Sequence, residues 1–600
     1  MTGRLRIFLS LMLTVLVVFA GRLMYLQLAM AQQYQVLSTQ NFMLEDRISP
    51  LRGRILARDG TVLADNRVAY DLMYRGGGFP NRERIAWLLD LAPDAFREPD
   101  PDSSSESTHG RVVAWGVPDR LVPALEELLA GQGNAYLRER IERTYPTNLA
   151  AQVIGYTTLA DPVRFPGYDL DELVGIMGLE AGMERELFGA AGSKLIEMDN
   201  RRALLRERTL VPAQPGDDLL LTLDPQLQRY AEDVIAGAVA TVNAERDRWG
   251  HPHISTVRGS LLAIEPRSGE ILAMASLPSF DQNVFTRRPS DPEAVTAILN
   301  DSEYLPLSNR AVEAFAPASL FKTVTSFTLL EKGYTSPGER YSCTASIEYG
   351  GRRWLNWATS NRGNYTSVEA IADSCNTYYW NAAIDTPQFS SGWAPFVQDL
   401  MAMARTFGMG APLNVGLPEE KSGRIPDEDW KRQVTGEQWY PGFTLNSAIG
   451  QGDILTTPLQ MLETVTALAT DGNYVRPHLI SRIGDEPAPT VRRTIEGRYW
   501  DVIRQGMRRM ITDHGANRYL GRPAGFTVDI AGKTGTAENG RAQGLEHSWF
   551  MGYAPAEDPE IAIVVFIENG GFSSNVAVPV ASEFFRHWFD DGPADVQAGP

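Results

Sequence analysis

Ala318-Ser319-Leu320-Phe321-Lys322 opens a helical run that reaches Leu330. Serine is a weak nucleophile at its own pKa, and a lysine three residues further along a helix lies one turn away on the same face, where it can serve as a base. The run also puts Ser319 at a helix N-terminus, where free backbone amides and the dipole favour developing negative charge. Alone, the pair says little, because two common residues at one offset recur by chance in 600 residues, and a serine in that place also reads as a plain N-cap. Two further motifs follow on the same chain, Ser374-Cys375-Asn376 and Lys533-Thr534-Gly535-Thr536. In this order the three describe a site that forms a covalent acyl-enzyme.

Each motif residue has a job its chemistry suits. Lys322 must be neutral to take the Ser319 proton, and burial and the second cation Lys533 both disfavour its charged form. Ser374 is expected to relay a proton between Lys322 and a leaving or incoming amine, and Asn376 to hold a substrate backbone with its amide; by itself, Ser-Cys-Asn also reads as a helix cap. The segment from Lys533 to Thr536 ends a strand with small residues, so that at Gly535 the backbone can lie against a peptide. The Lys533 charge and the Thr534 and Thr536 hydroxyls suit a terminal carboxylate. Backbone amides of Ser319 and Thr536 would complete an oxyanion hole, worth about 3 kcal/mol per donor in comparable acyl transfer. A nucleotide-binding loop is excluded, since Gly532-Lys533-Thr534 would need a glycine where Thr527 stands. None of the seven histidines sits in a Gly-x-Ser-x-Gly setting, which removes a histidine-based triad. His547, ahead of Ser548-Trp549-Phe550, reads as a buttress of the neighbouring strand.

This set resembles that of the penicillin-recognising serine acyltransferases, the penicillin-binding proteins and serine β-lactamases. Flanking stretches narrow the resemblance to class B penicillin-binding proteins: Arg52-Gly53-Arg54-Ile55 with Asp59-Gly60, Arg143-Thr144-Tyr145-Pro146, Gly178-Leu179-Glu180, Leu221-Thr222-Leu223-Asp224 and His547-Ser548-Trp549-Phe550. It runs from about Arg47 to near the C-terminus. Within the class, Trp439-Tyr440-Pro441-Gly442, Ile449-Gly450-Gln451-Gly452 and Tyr499-Trp500 are most similar to the penicillin-binding protein 2 group. Pro317-Ala318 departs from the usual Pro-Gly, so Ala318 either keeps a negative φ or tolerates strain.

The resemblance implies a membrane-anchored peptidoglycan D,D-transpeptidase that attacks the D-Ala-D-Ala amide of stem peptides, releases D-Ala and is acylated by β-lactams. It would serve cell elongation beside a polytopic glycosyltransferase of the shape, elongation, division and sporulation family and other elongation proteins, and would need no cofactor. Rival readings are a septal transpeptidase, a carboxypeptidase or β-lactamase in which water replaces the amine, and an antibiotic-sensing receptor or inactive scaffold. A sensor needs a cytoplasmic signalling portion, and only about six residues precede Ile7; a scaffold is expected to lose a motif residue, and none is lost. Some relatives bind zinc near the position of Cys375 with carboxylates and a histidine. Here no histidine lies between Cys343 and Cys375, and the acidic residues there are only Glu348, Glu369 and Asp373, so no metal is expected.

Composition bounds the rest. The chain is 43% hydrophobic and 22% charged, and its net charge of −18 excludes nucleic acid, whose phosphates are bound by gathered basic residues. Arg4 and Arg6 precede an apolar run from Ile7 to Gly21 that resumes after Arg22. With Arg22 snorkelling, it reads as a membrane anchor over residues 1–28, N-terminus cytoplasmic and the body across the cell membrane; a signal peptide cleaved at Ala29-Met30-Ala31 is the alternative. In an exported body Cys343 and Cys375 are either disulfide-bonded or two separate buried thiols. A bond would pin the segment carrying Trp354, Asn356 and Trp357 against the catalytic helix.

The expected architecture is α+β: the anchor, a polar stalk over Gln32 to Asn41, a mostly β, dimerisation-like pedestal over 29–216 and a transpeptidase domain over 217–590 with an antiparallel sheet flanked by helices. The boundary is set at Pro215-Gly216-Asp217, a mobile or inserted loop at Glu98 to Gly110, and a frayed tail at 591–600.

Overall fold

The computed structural model describes residues 2–30, 43–92, 94–99, 110–131, 134–161, 163–169, 172–198, 204–513 and 528–590. The expected stalk and tail lie outside these, as do residues 100–109 of the expected loop. Where that loop begins, Glu98 is tethered, its carboxylate accepting from the Gly77 amide at 3.1 Å and the Tyr74 hydroxyl at 3.3 Å. Helix α1 (Thr2–Met24) runs on through a turn of π-type hydrogen bonding, Tyr25–Ala29. Its stretch Ile7–Leu28 has a mean hydropathy of 2.3 and is unburied. A helix of that length extends about 33 Å, enough for the hydrocarbon core of a bilayer.

The N-terminal part of the body is built from strands. Met43–Ile48, Gly192–Met198 and Leu204–Val211 form one three-stranded antiparallel sheet, and Val62–Tyr74 pairs with both Arg111–Val117 and Ala135–Thr144 in a larger one. The larger sheet does not stop at the expected boundary. Leu219–Leu221 pairs parallel with Ile55–Leu56 and antiparallel with Ile480–Ile483, so residues from both parts of the chain share it. Leu219 and Leu221 are wholly buried there, which is why an apolar triplet directly after a turn is drawn into it.

A second sheet organises the C-terminal part. Its strands are β1 (Gly259–Ile264), β2 (Ile271–Leu277), β3 (Ala531–Ala537), β4 (His547–Ala554) and β5 (Ile561–Ile567), antiparallel in the order β2-β1-β5-β4-β3. Successive side chains enter opposite cores: Leu262, Met551 and Val564 pack on the face shared with helix Pro458–Ala469, and Leu261, Phe550 and Val565 on the face covered by Pro225–Gly237 and the terminal helix Ala577–Asp590. Burial on both sides explains why these strands read as continuous apolar runs rather than alternating ones.

The body is interlocked. Asn283 exchanges hydrogen bonds with the Tyr145 backbone at 3.0 and 3.1 Å, Gln152 donates to the carbonyls of Pro278 and Pro306, and the Glu419 carboxylate accepts from the Gly178 amide.

Candidate active site

A 3-10 turn, Ala318–Phe321, leads into helix α2 (Lys322–Glu331), which is buried through Leu330. So polar a helix can be buried because its hydroxyls bond back to its own carbonyls, Thr323 to Leu320, Thr325 to Phe321 and Thr328 to Val324. Ser319 lies in the turn at the head of this helix and keeps partial solvent access. Ala318 before it holds φ +49°, the left-handed region that costs an L-residue about 1–2 kcal/mol. Of the two options left open for that position, strain is the outcome. Gly450 makes the fit possible: its amide oxygen accepts from the Ala318 N–H at 2.9 Å, and a Cβ on Gly450 would stand 2.1 Å from the Ala318 oxygen.

Ser374 and Asn376 arrive on a helix-to-helix junction. Helix Ser367–Ala372 ends in a Schellman motif, with the Ser374 amide donating to Ile371 O (3.2 Å) and the Cys375 amide to Ala370 O (3.1 Å). Ser374 takes the left-handed position of that motif at φ +51°, where glycine is favoured. Helix α3 (Asn376–Ile384) starts two residues later. The motif is thus a cap as well as a site.

Between α2 and this junction sits Lys322, fully buried. Its Nζ contacts Ser374 O at 2.8 Å, Ser374 Oγ at 3.2 Å and Asn376 Oδ1 at 2.5 Å, and lies 5.5 Å from the centre of the Tyr379 ring. Burial, reinforced by the Lys533 cation, holds the Lys322 amine well below the ordinary lysine value, against the pull of Asp373. Lys533 is equally buried, donates to Thr534 O at 3.0 Å and is pushed down to about 7 by burial. Both shifts favour the neutral amine.

Lys533 stands on β3, the edge strand of the sheet, with Gly535 on the same face. A Cβ on Gly535 would meet Pro317 O at 3.0 Å and Leu320 Cγ at 3.1 Å, so glycine is what lets the strand lie against the Ser319 turn. Thr534 and Thr536 are half-buried on the other face. The Thr536 hydroxyl is engaged in the protein, 2.9 Å from Ser573 Oγ and accepting from the Ser573 amide at 3.3 Å, while Ser573 Oγ donates to Gly535 O at 2.5 Å. His547 pairs opposite Ala537, accepts from the Asn569 amide at 3.1 Å, and is pushed down to about 4 by burial among Phe315 and Phe566. It is a neutral buttress.

Cys343 and Cys375 are joined by a disulfide with Cα atoms 6.1 Å apart. Asn356 lies against the bond; its Oδ1 accepts from the Asn376 amide at 3.1 Å and its Nδ2 donates to Thr344 O at 3.0 Å. The structure thus brings all three motifs to one place. Sequence reasoning missed Tyr379, Ser573 and the Arg362–Asp373 pair, for which no local pattern gives a signal. A surface cavity of about 700 Å³ beside Pro292 and Asn300 contains no motif residue.

Comparison with known proteins agrees with this geometry. The family profile described as the penicillin binding protein transpeptidase domain matches residues 259–586, and that of the penicillin-binding protein dimerisation domain matches 47–221. The peptidoglycan D,D-transpeptidase MrdA of Acinetobacter baumannii is 28% identical over 98% of this chain and 87% of its own length, and that of Escherichia coli 27% identical over 92% and 89%. Among solved structures, a chain from a peptidoglycan synthase complex that coordinates polymerization and crosslinking is 40% identical, covering 99% of this chain and 100% of its own, with a TM-score of 0.79. Penicillin-binding protein 2 of Helicobacter pylori, solved with MreC, shares the fold at 23% identity and a TM-score of 0.72, over 92% of this chain and 99% of its own.

Proposed function

Because this chain belongs to the class B penicillin-binding proteins of the peptidoglycan D,D-transpeptidase type, we propose that Ser319 is its nucleophile and Lys322 the base. Ser319 Oγ attacks the carbonyl carbon between the two D-Ala residues of a stem peptide and passes its proton to Lys322. The amides of Ser319 and Thr536 take the developing oxyanion. When the C–N bond breaks, the proton travels through Ser374 to the departing amine, and D-Ala leaves an acyl group on Ser319. The amine of a neighbouring stem then attacks that ester by the reverse path. Lys533, Thr534 and Thr536 hold the terminal carboxylate, with Gly535 giving the strand its room, and Asn376 the peptide backbone. For Thr536 this requires its hydroxyl to turn from Ser573.

The observation that carries this reading is Lys322: a fully buried amine whose neighbours Ser374 O and Asn376 Oδ1 can only accept. In the neutral amine these two take both N–H groups, which leaves the lone pair to the Ser374 hydroxyl at 3.2 Å.

We assign residues 1–28 to a membrane anchor with the N-terminus cytoplasmic, 29–216 to a non-catalytic pedestal, 217–590 to the transpeptidase domain and 591–600 to a tail. The role is cell elongation, beside a glycan polymerase that contacts the pedestal; support comes from the relative in a peptidoglycan synthase complex. β-Lactams acylate Ser319 in place of the stem peptide. The test is covalent labelling with a fluorescent penicillin. One acyl group is expected on the peptide containing Ser319 by mass spectrometry, and none in Ser319→Ala. Labelling that survives the substitution overturns the assignment.

A further inference from the structure

The Ser374 carbonyl has two donors. Lys322 Nζ reaches it at 2.8 Å from the core side, and the indole Nε1 of Trp357 reaches it at 3.1 Å from the solvent side, where it also contacts Asp373 O at 3.1 Å. Trp357 is 55% exposed as a whole, an unusual place for a tryptophan, yet its N–H is bonded within the protein. The ring is held rather than free. The Arg362 guanidinium lies 4.8 Å from its centre and pairs with Asp373 at 3.0 Å; Arg362 N–H donates to Cys343 O; and the Trp357 amide donates to Asn356 Oδ1, which also accepts from Asn376. The Trp357 indole, Arg362 and Asn356 reach from the segment closed by the disulfide to residues 373–376, and the other two bonds brace that segment internally.

What they hold is a strained turn. Ser374 is left-handed without being glycine, so its carbonyl has a cheaper orientation available that points elsewhere. Were it to turn, one N–H of neutral Lys322 would lose its acceptor and the lone pair its direction.

We propose that Trp357 is a positioning residue for acylation, its indole N–H occupying the second lone pair of the Ser374 carbonyl and so fixing the acceptor that orients the Lys322 amine. This rests on the Ser319 and Lys322 roles above. The groups facing Lys322 are Lys533 from β3, Asp373 from the turn with Arg362 and Tyr365 upon it, and Ser374, Asn376 and Tyr379 around α3. Losing the Trp357 donor frees the Asp373 and Ser374 carbonyls, and the latter then accepts more strongly from protonated Lys322.

The experiment is Trp357→Phe in the full chain, which keeps a ring under Arg362 and deletes the N–H. Penicillin acylation is resolved into binding and acylation rate from pH 5 to 9, with thermal melting alongside. The acylation rate is expected to fall about five- to ten-fold with penicillin binding unchanged, the size of one lost hydrogen bond, and the acid limb of its pH profile to move to higher pH. Weaker binding with an unchanged rate and profile makes Trp357 a substrate contact and overturns the proposal, as does an unchanged variant. If Trp357→Phe melts early, benzothienylalanine at 357, which keeps the shape of tryptophan and lacks the N–H, must give the same shift. Wild-type chain that takes up no penicillin at Ser319 instead sinks the catalytic assignment itself.

Discussion

Two lysines, both fully buried, carry opposite protonation demands within one cleft. In the proposed mechanism Lys322 acts when neutral and Lys533 when charged. The acylation kcat/KM of the free enzyme should therefore rise with pH as Lys322 gives up its proton, then fall through about 7 as Lys533 does, a bell set by burial and by the charge of one lysine on the other. A bound carboxylate favours charged Lys533, so the falling limb of kcat should lie at higher pH. In Lys533→Arg, whose guanidinium keeps its charge, the fall above pH 7 should vanish while the maximum drops because the planar group fits the site poorly. Lys322→Ala should lower acylation by about 10²–10⁴ at the pH optimum and remove the rising limb. Stopped-flow labelling across the pH range measures both; a falling limb that persists unchanged in Lys533→Arg assigns it to another group.

At the scale of elements, the site depends on how closely β3 approaches the turn before α2. The backbone of an edge strand is open to a further strand, which suits a peptide substrate laid alongside it. On its other side the contact with Pro317 and Leu320 leaves no room for a methyl group. Gly535→Ala should push strand and turn apart by a few tenths of an ångström. Acylation is expected to fall on the order of ten- to a hundred-fold, because small misplacements of reacting groups are costly, while the melting temperature changes little. Equal loss of stability and rate would mean that the strand, rather than the geometry, had failed.

Across the whole molecule, the N-terminal part of the body holds a buried ionic cluster one residue removed from its contact with the C-terminal part. Glu180, wholly buried, accepts from Arg52 Nε at 2.6 Å and Arg143 Nε at 2.7 Å, with the Tyr145 hydroxyl at 3.3 Å; the Tyr145 backbone in turn bonds Asn283. The two arginines hold the Glu180 carboxylate below the usual range even though burial alone would raise it. Glu180→Ala leaves Arg143 buried without the Glu180 carboxylate and Arg52 with Glu184 alone, which should cost on the order of 3–5 kcal/mol. Thermal unfolding of the variant should show a clearly lower midpoint, and a midpoint within a degree of the parent would show the cluster to be dispensable.

The sequence by itself determined the class of reaction and the class of fold. Ser319 and Lys322 are legible because a helical turn fixes their relation locally, and strands β1, β4 and β5 because burial on both faces leaves continuous apolar runs. Ser374-Cys375-Asn376 was legible as a motif but not as geometry: its left-handed serine belongs to a Schellman turn whose partners a sequence does not display. Only the tertiary structure decided that the two cysteines bond, that strand Leu219–Leu221 joins the N-terminal sheet, that Ser573 takes up the Thr536 hydroxyl from 37 residues away and that Trp357 reaches the Ser374 carbonyl. These are contacts between segments brought together by packing. Hydrogen bonds within a turn or a short helix follow from the order of residues, whereas a bond between distant segments exists only once the whole core has paid the entropy of bringing them together.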